Sequence, residues 1–399
     1  MMKYLIGLII FLPHIIFSQN SCIDRYNIEI FPNIDSTLNI LYGFNHDLYG
    51  VPINLYLDLY EPQGDTLNER PLIIFIHGGG YVQGTKTDPK ITRLCTTFAK
   101  KGYVTASIDY RLGVDTSIGN TFFHSCLRSV HDANASIRYF IQNSNLHGID
   151  TNFIFIGGCS AGALTSLHCA YMDNLELNNH ISIDTSLFGI TNNIAGNSGN
   201  SGSTSNIQAV INCWGAITDT LWIQPGDVPV LSIYGENDNT VPPGAGSHPL
   251  YANIALQGSK VIHSHCKNIG NSSFLKSYSN LGHGHSAYSS HMDTTIFLIT
   301  NFLCNILSIN LTALPNTNTK YYPLKIFHNY GTQLSNILFT KPLQYPVSLK
   351  LFDLSGKTVI TDKIYTNSYN LNDKIINQGV YILHLSNIDE SINKKIIIR

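Results

Sequence analysis

The sequence predicts a mostly parallel α/β domain followed by a small all-β domain. Two observations support this prediction. Between about residues 70 and 307, short apolar runs alternate with segments of helical periodicity, and after residue 320 only alternating β segments follow. Strands that are apolar on both sides are typical of a parallel sheet covered by helices. With 399 residues, the chain is long enough to hold both units.

The individual elements follow in chain order. Two alternating segments, 38–44 and 53–60, predict an antiparallel start of the sheet. Six short apolar runs then predict buried strands at 72–76, 103–108, 153–156, 207–212, 228–234 and 274–278. Apolar residues at helical spacing predict the helices between and after them, at 91–101, 125–142, 161–172 and 294–307.

Two polar segments interrupt this order. The Ser/Asn/Gly-rich stretch 182–206 is long for a loop inside a domain, and both a lid over a substrate cleft and a solvated insertion fit it. Residues 308–320 are typical of a linker. The β segments 347–353, 358–364, 380–385 and 395–398 then predict a small β-sandwich over 321–399. The α/β domain is therefore expected to span 19–307.

The charge of the chain excludes some functions. Only 13% of the residues are charged, about half of the ~25% usual in soluble proteins, and 43% are hydrophobic, which excludes an intrinsically disordered chain. A net charge of −2 lacks the basic surface that a nucleic-acid partner needs. Residues 320–399 hold ten Lys or Arg and five Asp or Glu, against 24 and 26 in the whole chain, so the tail is basic and the rest acidic. This shift suggests two units of separate origin.

The N-terminus predicts a targeting segment. Residues 1–18 combine Lys3, a short apolar run and Ser18, which is typical of a cleaved signal peptide. Pro13 interrupts the run, which is shorter than the ~20 residues of a membrane helix, so we expect no membrane span after signal removal. Export permits disulfides among the eight cysteines, and Cys95 and Cys126, on predicted helices flanking one strand, are the first candidates.

A nucleophile is predicted directly after the strand 153–156. The residues Gly158-Cys159-Ser160-Ala161-Gly162 follow it and lead into a helix, the context of a nucleophile elbow. The turn is so sharp that the flanking positions need glycine. It would hold the Ser160 hydroxyl at a helix N-terminus, where backbone N–H groups favour negative charge.

A glycine-rich loop complements this serine. The strand 72–76 continues into His77-Gly78-Gly79-Gly80, whose backbone N–H groups can point at an oxyanion. In lipases and esterases such a loop acts with the N–H of the residue after the nucleophile. We therefore expect Gly79, Gly80 and Ala161 to form an oxyanion hole; an ordinary tight turn is the alternative.

An acid and a histidine should follow the nucleophile along the chain. Asp238 comes just after the strand 228–234, where catalytic groups gather in open α/β sheets, and Glu236 competes with it. His283 and His285 follow the last strand, and the residues alone leave the choice between them open. His263, His265 and Cys266 could form a metal-binding set with His283 and His285. We expect no metal there, because His283 or His285 is needed as the base. Alternate histidines on a strand also point to opposite faces.

Residues from about 25 to 307 resemble secreted carboxylesterases of the α/β-hydrolase superfamily, near the hormone-sensitive-lipase-like branch. The matching motifs are His77-Gly78-Gly79-Gly80, Asp109-Tyr110-Arg111-Leu112, Asp132 within 131–138, Gly158-Cys159-Ser160-Ala161-Gly162, and Asp238 within 235–242. The resemblance implies the α/β-hydrolase fold and an esterase triad of Ser160, Asp238 and a histidine, without a cofactor. Cys159 departs from the polar residue usual before the nucleophile.

The resemblance also bears on the choice of base. Some relatives close with a small residue, His, two residues and Tyr, as in 284–288, which favours His285. Others close with Gly-His-Gly, as in 282–284, so His283 is the alternative. Asp109, Arg111 and Asp132 are interpreted as structural supports, because buried charges are usually paired.

The tail resembles the C-terminal sorting domain of the Bacteroidetes type IX secretion system. The similar segments are 351–357, 379–383 and 394–397, and residues 327–330 stand where the domain usually opens with Tyr-Pro-Asn-Pro. This resemblance implies the secretion machinery as a partner and a secreted or cell-surface protein. The rival interpretation, a carbohydrate-binding sandwich, would require a row of exposed aromatic residues that is not evident.

These observations lead to one main function and three alternatives. The main hypothesis is a secreted serine carboxylic-ester hydrolase, an esterase or lipase, that acts through an acyl-enzyme on Ser160. Its substrate would be a small-molecule or polysaccharide-linked ester. The first alternative narrows this to a feruloyl or acetyl-xylan esterase on plant polysaccharide. The others are a peptidase on the same fold and a non-catalytic surface binding protein on a hydrolase scaffold.

Overall fold

A computed structural model describes most of the chain. The described residues are 22, 25–114, 121–180, 189–200, 202, 207–248, 251–284, 289–311, 324–329, 334–339, 346–353, 357–366, 368–370, 379–386 and 391–398. The predicted signal peptide lies outside them, as does the part of the predicted linker beyond residue 311. In the part of the chain that is described, no helix is long and apolar enough to cross a membrane.

The first eleven strands form two sheets. In chain order the strands are β1 Ile34–His46, β2 Pro52–Pro62, β3 Arg70–Ile76, β4 Val104–Ile108, β5 Ile149–Cys159, β6 Ile207–Cys213, β7 Ala216–Ile217, β8 Val230–Gly235, β9 Ala245–His248, β10 Tyr251–Gly258 and β11 Ser273–Tyr278. Eight of them form a central sheet in the order β1-β2-β4-β3-β5-β6-β8-β11, and β7, β10 and β9 form a small second sheet. Strands β3 to β11 of the central sheet are parallel, whereas β1 and β2 are antiparallel, as predicted.

Helices cover both faces of the central sheet. They are α1 Pro89–Lys100, α2 Thr121–Gln142, α3 Ser144–His147, α4 Ala161–Tyr171, α5 Asn174–His180, α6 Ser259–Asn268 and α7 Ser289–Leu311. Strand β3 shows why, because all its side chains are buried and alternate between two cores. Leu72, Ile74 and Ile76 join the core with α2 and α4, whereas Ile73 and Phe75 join the core with α1 and α7. This is the predicted α/β architecture, with α7 continuing four residues into the predicted linker.

The observed disulfide differs from the expected one. Cys22 is bonded to Cys304 on α7, which ties the start of the described chain to its last α-helix. Cys95 and Cys126 are free and buried. The expectation of a bridge between them was wrong, because α1 and α2 pack on opposite faces of the sheet. The sheet therefore lies between Cys95 and Cys126 and keeps their thiols apart.

The polar stretch 182–206 is described from residue 189 to 200 and at residue 202. This part packs against α2 and β1. Ser198 is fully buried, and its carbonyl accepts a hydrogen bond from the Phe44 N–H at 2.8 Å. The Arg138 guanidinium donates to the carbonyls of Ala195 and Gly199 at 2.7 and 2.9 Å. Residues 189–200 are therefore anchored to the fold, and the two interpretations of the whole stretch stay predictions.

The described residues of the C-terminal part form β-strands and no helix, as predicted. Its strands are β12 Leu324–Asn329, β13 Leu334–Phe339, β14 Val347–Asp353, β15 Thr358–Ile364, β16 Ser368–Asn370, β17 Gly379–Ser386 and β18 Ser391–Ile398. They form two antiparallel sheets, β12-β13-β16 and β15-β14-β17-β18. The hydroxyl of Tyr369 on β16 donates to Asp362 on β15 at 2.7 Å and connects the two sheets.

Candidate active site

Ser160 alone forms the turn between β5 and α4. Its φ of 55° and ψ of −120° are rare for a residue with a side chain. A Cβ atom at Gly158 would lie 2.5 Å from the Ile76 carbonyl oxygen, and one at Gly162 would lie 2.1 Å from the same oxygen. Both positions therefore require glycine, because the turn packs directly against the end of β3. The strand, turn and helix occur where the motif predicts them.

A chain of hydrogen bonds connects Ser160 to Asp238 through His283. The Nε2 atom of His283 lies 2.8 Å from the Ser160 Oγ, and its Nδ1 lies 2.7 Å from Asp238 Oδ2. The other carboxylate oxygen accepts the backbone N–H groups of Thr240 and Val241, each at 2.9 Å. Asp238 is almost fully buried, and a quarter of the His283 side chain is exposed. The carboxylate is thus fixed, and the imidazole contacts both partners.

The end of β8 determines which histidine reaches Asp238. The Asn237 N–H donates to the Leu281 carbonyl at 2.9 Å, so the turn after β11 lies across the end of β8. Gly235 permits this approach, because a Cβ atom there would lie 2.3 Å from the Leu281 oxygen and 2.6 Å from that of Gly282. The residue that follows Gly282 is therefore placed beside Asp238.

Two histidines were candidates for the base, and this geometry favours His283. The imidazole that contacts both Ser160 and Asp238 is that of His283, the alternative base, and His285 lies outside the described residues. A closing motif compared between relatives does not contain the register of this turn against β8. The preference for His285 stays a prediction, and His283 is the base that the described contacts support. The competing acid, Glu236, is exposed, and the contact with His283 is made by Asp238.

The loop after β3 lies directly behind the serine. Gly79 and Gly80 have φ values of 117° and 62°, which residues with side chains rarely adopt. A Cβ atom at Gly78 would lie 2.9 Å from the Cys159 carbonyl oxygen, so the loop touches the elbow. Among the described residues, the N–H groups of Gly79, Gly80 and Ala161 donate no backbone hydrogen bond outside the regular elements. Ala161 is also the first residue of α4, where an N–H has no partner within the helix.

Two tyrosines to which no sequence motif assigned a role support this loop. The hydroxyl of Tyr110 donates to the His77 carbonyl at 3.1 Å, and its ring stacks on the His77 imidazole at 4.4 Å. The hydroxyl of Tyr81 donates to the Ala161 carbonyl at 3.1 Å. Both tyrosines are within or close to motifs that were identified, but their spacing carries no signal of these contacts.

The groups next to the nucleophile are uncharged. A hydrogen bond with Cys213, together with burial, raises the pKa of the Cys159 thiol well above its ordinary value. Burial lowers the pKa of His77, whose Nδ1 lies 2.7 Å from the Gly78 carbonyl oxygen. The residue before the nucleophile and the first residue of the glycine loop are therefore both neutral near pH 7. The Cys159 side chain therefore places no negative charge beside an oxyanion that forms on a substrate.

The charged residues of the other motifs are paired. Arg111 and Asp132 form an ion pair at 2.7 Å with both side chains fully buried, and Ser198 also donates to the Asp132 carboxylate. The Lys86 N–H donates to Asp109 at 2.7 Å. These contacts agree with the structural role that was expected of Asp109, Arg111 and Asp132.

The histidines of the possible metal set have other contacts. His263 and His265 lie on α6 rather than on a strand. The Nδ1 of His263 is 2.9 Å from the Ser273 hydroxyl, and the Nε2 of His265 is 2.9 Å from the Ile223 carbonyl oxygen. Across the described ranges, no group of three or more His, Cys, Asp or Glu side chains is arranged to hold a metal ion.

Comparisons with known proteins agree with this architecture. Residues 57–222 match the family BD-FAE, and residues 325–399 match the family described as Secretion system C-terminal sorting domain. The first match includes the glycine loop and Ser160 but ends before Asp238 and His283. These two matches confirm the resemblance to α/β-hydrolase esterases and the presence of a C-terminal sorting domain. The sorting domain also confirms the expected export to the cell surface or the medium.

Individual relatives are similar over part of the chain. Esterase LipC of Mycobacterium tuberculosis is 31% identical over 115 residues, which cover 29% of this chain and 26% of that protein. Neutral cholesterol ester hydrolase 1 of Bos taurus is 31% identical over 122 residues, again 29% and 26%. The chain thus spans about a quarter of the length of these relatives. Among solved structures, Thermogutta terrifontis esterase 2 is 19% identical, with a TM-score of 0.49 over 72% of this chain and 98% of that one.

Proposed function

We propose that this protein is a secreted serine carboxylic-ester hydrolase that forms an acyl-enzyme on Ser160. The observation that carries the proposal is the hydrogen-bonded series Ser160–His283–Asp238, with distances of 2.8 and 2.7 Å, next to a loop of available N–H groups. A nucleophile hydrogen-bonded to a base, which a third group orients, is the arrangement that acyl transfer requires. A non-catalytic binding protein would have no need of this complete set.

The first half of the reaction acylates the serine. Asp238 accepts the Nδ1–H of His283, so that the Nε2 lone pair faces Ser160. His283 takes the Ser160 proton as the Oγ attacks the carbonyl carbon of the ester, and negative charge develops on the carbonyl oxygen. The N–H groups of Gly79, Gly80 and Ala161 would stabilise this oxyanion, each by about 3 kcal/mol.

Departure of the alcohol completes the acylation, and hydrolysis of the acyl-enzyme then releases the acid. The protonated His283 gives its proton to the leaving alcohol as the ester bond breaks, which leaves the acyl group on Ser160. Water then enters, loses a proton to His283 and attacks the acyl carbonyl, while Asp238 stabilises the imidazolium that forms. His283 returns that proton to the Ser160 Oγ as the bond between Oγ and the acyl carbon breaks, which releases the acid and restores the serine. Every proton is transferred through one imidazole, and no step requires a cofactor.

Removal of the nucleophile tests the proposal. Ser160→Ala should lower the turnover of p-nitrophenyl acetate by roughly 10⁴-fold or more without changing the circular dichroism spectrum or the melting temperature. Ser166→Ala is the matched control on the same helix, because that hydroxyl donates to the Gly162 carbonyl and does not contact the triad. Undiminished turnover in Ser160→Ala would overturn the proposed function.

Two histidine variants test the identity of the base. His283→Ala should be as inactive as Ser160→Ala, because the Ser160 hydroxyl then has no proton acceptor at 2.8 Å. His285→Ala should retain kcat within about threefold, as expected of a residue outside the triad. The opposite result, with only His285→Ala inactive, would show that the base is wrongly assigned.

The substrate is proposed only as a class. Carboxylic esters of small molecules or of polysaccharides fit the mechanism, and feruloyl and acetyl-xylan esters are the narrower alternative. Turnover of p-nitrophenyl esters of increasing chain length, compared with methyl ferulate and acetyl-xylan, distinguishes these substrates. A kcat/KM at least 100-fold higher for one of the two plant esters would establish the narrower class.

The C-terminal unit is proposed to act as an address read by the secretion machinery. We place its start at residue 321, after a linker, and the catalytic unit at 19–307. Deletion of 321–399 in a host with this secretion system should leave the esterase in the periplasm with unchanged kcat. Delivery of the deleted form to the cell surface at the wild-type level would contradict this role.

A further inference from the structure

The three proposed oxyanion donors belong to two separate parts of the chain. Gly79 and Gly80 lie in the loop after β3, whereas Ala161 begins α4. An oxyanion is well stabilised only when its donors lie at about 2.7–3.1 Å, so these two parts must keep a fixed separation. The hydroxyl of Tyr81 donates to the Ala161 carbonyl at 3.1 Å and thus connects the glycine loop to the residue that carries the third donor.

The side chain of Tyr81 is held in place on several sides. Its ring is fully buried and packs edge-on against the Phe122 ring, with centroids 5.2 Å apart. The Thr165 hydroxyl donates to the same Ala161 carbonyl at 2.9 Å and lies 3.5 Å from the Tyr81 hydroxyl. Burial raises the pKa of Tyr81 well above its ordinary value, so the hydroxyl keeps the proton that it donates. The contact with Ala161 is therefore made from a rigid position.

The backbone of Tyr81 has a positive φ, like the two glycines before it. Gly79, Gly80 and Tyr81 have consecutive φ values of 117°, 62° and 64°. Glycine adopts such values freely, but a bulky aromatic residue does not. The strain persists because the buried ring and the 2.7 Å hydrogen bond from the Gly113 N–H to the Tyr81 carbonyl hold the residue there. Strained residues of this kind concentrate at functional sites.

We infer that Tyr81 is a positioning residue that keeps the two halves of the oxyanion hole in register through the Ala161 carbonyl. The inference rests on the proposed function and adds a determinant of its rate. Loss of the Tyr81 hydroxyl leaves the ring and the turn in place but removes the hydrogen bond between the glycine loop and Ala161. The donors would then fit the oxyanion less well, while the uncharged ester would bind as before.

Tyr81→Phe tests the inference, because it removes only the hydroxyl. We expect kcat to fall about tenfold, less than on loss of a whole donor, and KM to change less than about twofold. Affinity for a trifluoromethyl ketone, whose adduct with Ser160 carries an oxyanion, should fall by the same factor as kcat/KM. Tyr103→Phe is the matched control, since its buried hydroxyl has no hydrogen-bond partner in the described part of the chain. That variant should keep the wild-type constants.

Rates are counted per active site, which separates positioning from folding. A fluorophosphonate that labels Ser160 gives the concentration of intact sites in each preparation. The Thr165 hydroxyl donates to the same carbonyl from α4. Thr165→Val should therefore lower kcat per site and ketone affinity as Tyr81→Phe does, but by a smaller factor, and it provides a test even where Tyr81→Phe folds poorly. Wild-type kcat per site in both variants, or a fall in kcat without one in ketone affinity, overturns the inference alone. Turnover that survives Ser160→Ala overturns the proposed function and the inference together.

Discussion

The Nε2 atom of His283 lies 2.8 Å from the Oγ of Ser160, although 123 residues separate them in the chain. The contact depends on the turn after β11, which crosses the end of β8 to reach the elbow at the end of β5. Parallel strands place all their carboxyl ends at one edge of the sheet, so groups that are distant in sequence meet there. Asp238, three residues after the end of β8, contacts the other nitrogen of the same imidazole.

Asp238→Asn should lower kcat by roughly 10³–10⁴-fold. The amide can still accept the two backbone N–H groups of Thr240 and Val241, so we expect the loop to keep its shape. It carries no charge to stabilise the imidazolium of His283, and it can turn an NH₂ group toward Nδ1 and so select the wrong tautomer. The measurement is kcat for p-nitrophenyl acetate, together with the melting temperature.

Glu236→Gln is the control for this variant. Glu236 lies two residues away on the same turn and is exposed, so its loss should change kcat less than about twofold. If Glu236→Gln were the inactive variant and Asp238→Asn the active one, the competing acid would be the correct one.

Asp132→Asn should lower the free energy of unfolding by about 3–5 kcal/mol, because it leaves the Arg111 charge buried without its partner. Asp293→Asn is the matched control, since it breaks the ion pair with Arg93 on the exposed surface and should cost less than about 1 kcal/mol. Urea unfolding followed by circular dichroism measures both. Equal effects of the two substitutions would contradict a supporting role for the buried pair.

The parts of the site that the sequence predicted depend on local backbone geometry. The elbow at Ser160, the loop at 77–80 and the acid at Asp238 each lie within a few residues of a strand end, where turn chemistry restricts the residue types. The clash distances at Gly158 and Gly162 show that restriction directly. Fold class followed in the same way from the apolar runs, because a strand buried on both faces needs them.

The remaining features depend on tertiary contacts that no local pattern contains. The placement of His283 beside Asp238 follows from the hydrogen bond between Asn237 and Leu281, 44 residues apart. The anchoring of Ser198 depends on Asp132 and on the edge of β1, although its own sequence surroundings are typical of a solvated loop. The disulfide joins residues separated by 282 positions, which spacing could not indicate.

The Cys22–Cys304 bond should stabilise the protein by about 2–4 kcal/mol, chiefly by restricting the unfolded chain. Reductant should therefore lower the melting temperature of the wild type but not that of the double variant Cys22→Ser and Cys304→Ser. Cys95→Ser, which changes a free buried thiol, should keep the response to reductant. Loss of the response in Cys95→Ser would indicate the bridge first expected, between Cys95 and Cys126.

His168 should make the protein less stable in mild acid. Its Nδ1 lies 2.7 Å from the Leu164 carbonyl oxygen and its Nε2 lies 2.9 Å from the Thr218 hydroxyl, both inside the core. Burial lowers the pKa of His168 to about 4. In the unfolded chain the pKa is about 6.5, so between these values the unfolded state binds the extra proton. The resulting loss of unfolding free energy is absent above pH 7 and grows as the pH falls, to about 2 kcal/mol at pH 5.

His168→Gln tests this contribution, because the glutamine amide can donate to the Leu164 carbonyl and accept from the Thr218 hydroxyl but does not titrate. The loss of unfolding free energy between pH 7 and pH 5, measured with urea, should be about 2 kcal/mol smaller in the variant than in the wild type. Any packing cost of the substitution is present at both pH values and cancels in the difference. The pKa of His131, which burial lowers to about 3, adds a similar loss that both proteins share. An identical loss in the two proteins would show that His168 is not buried in its neutral form.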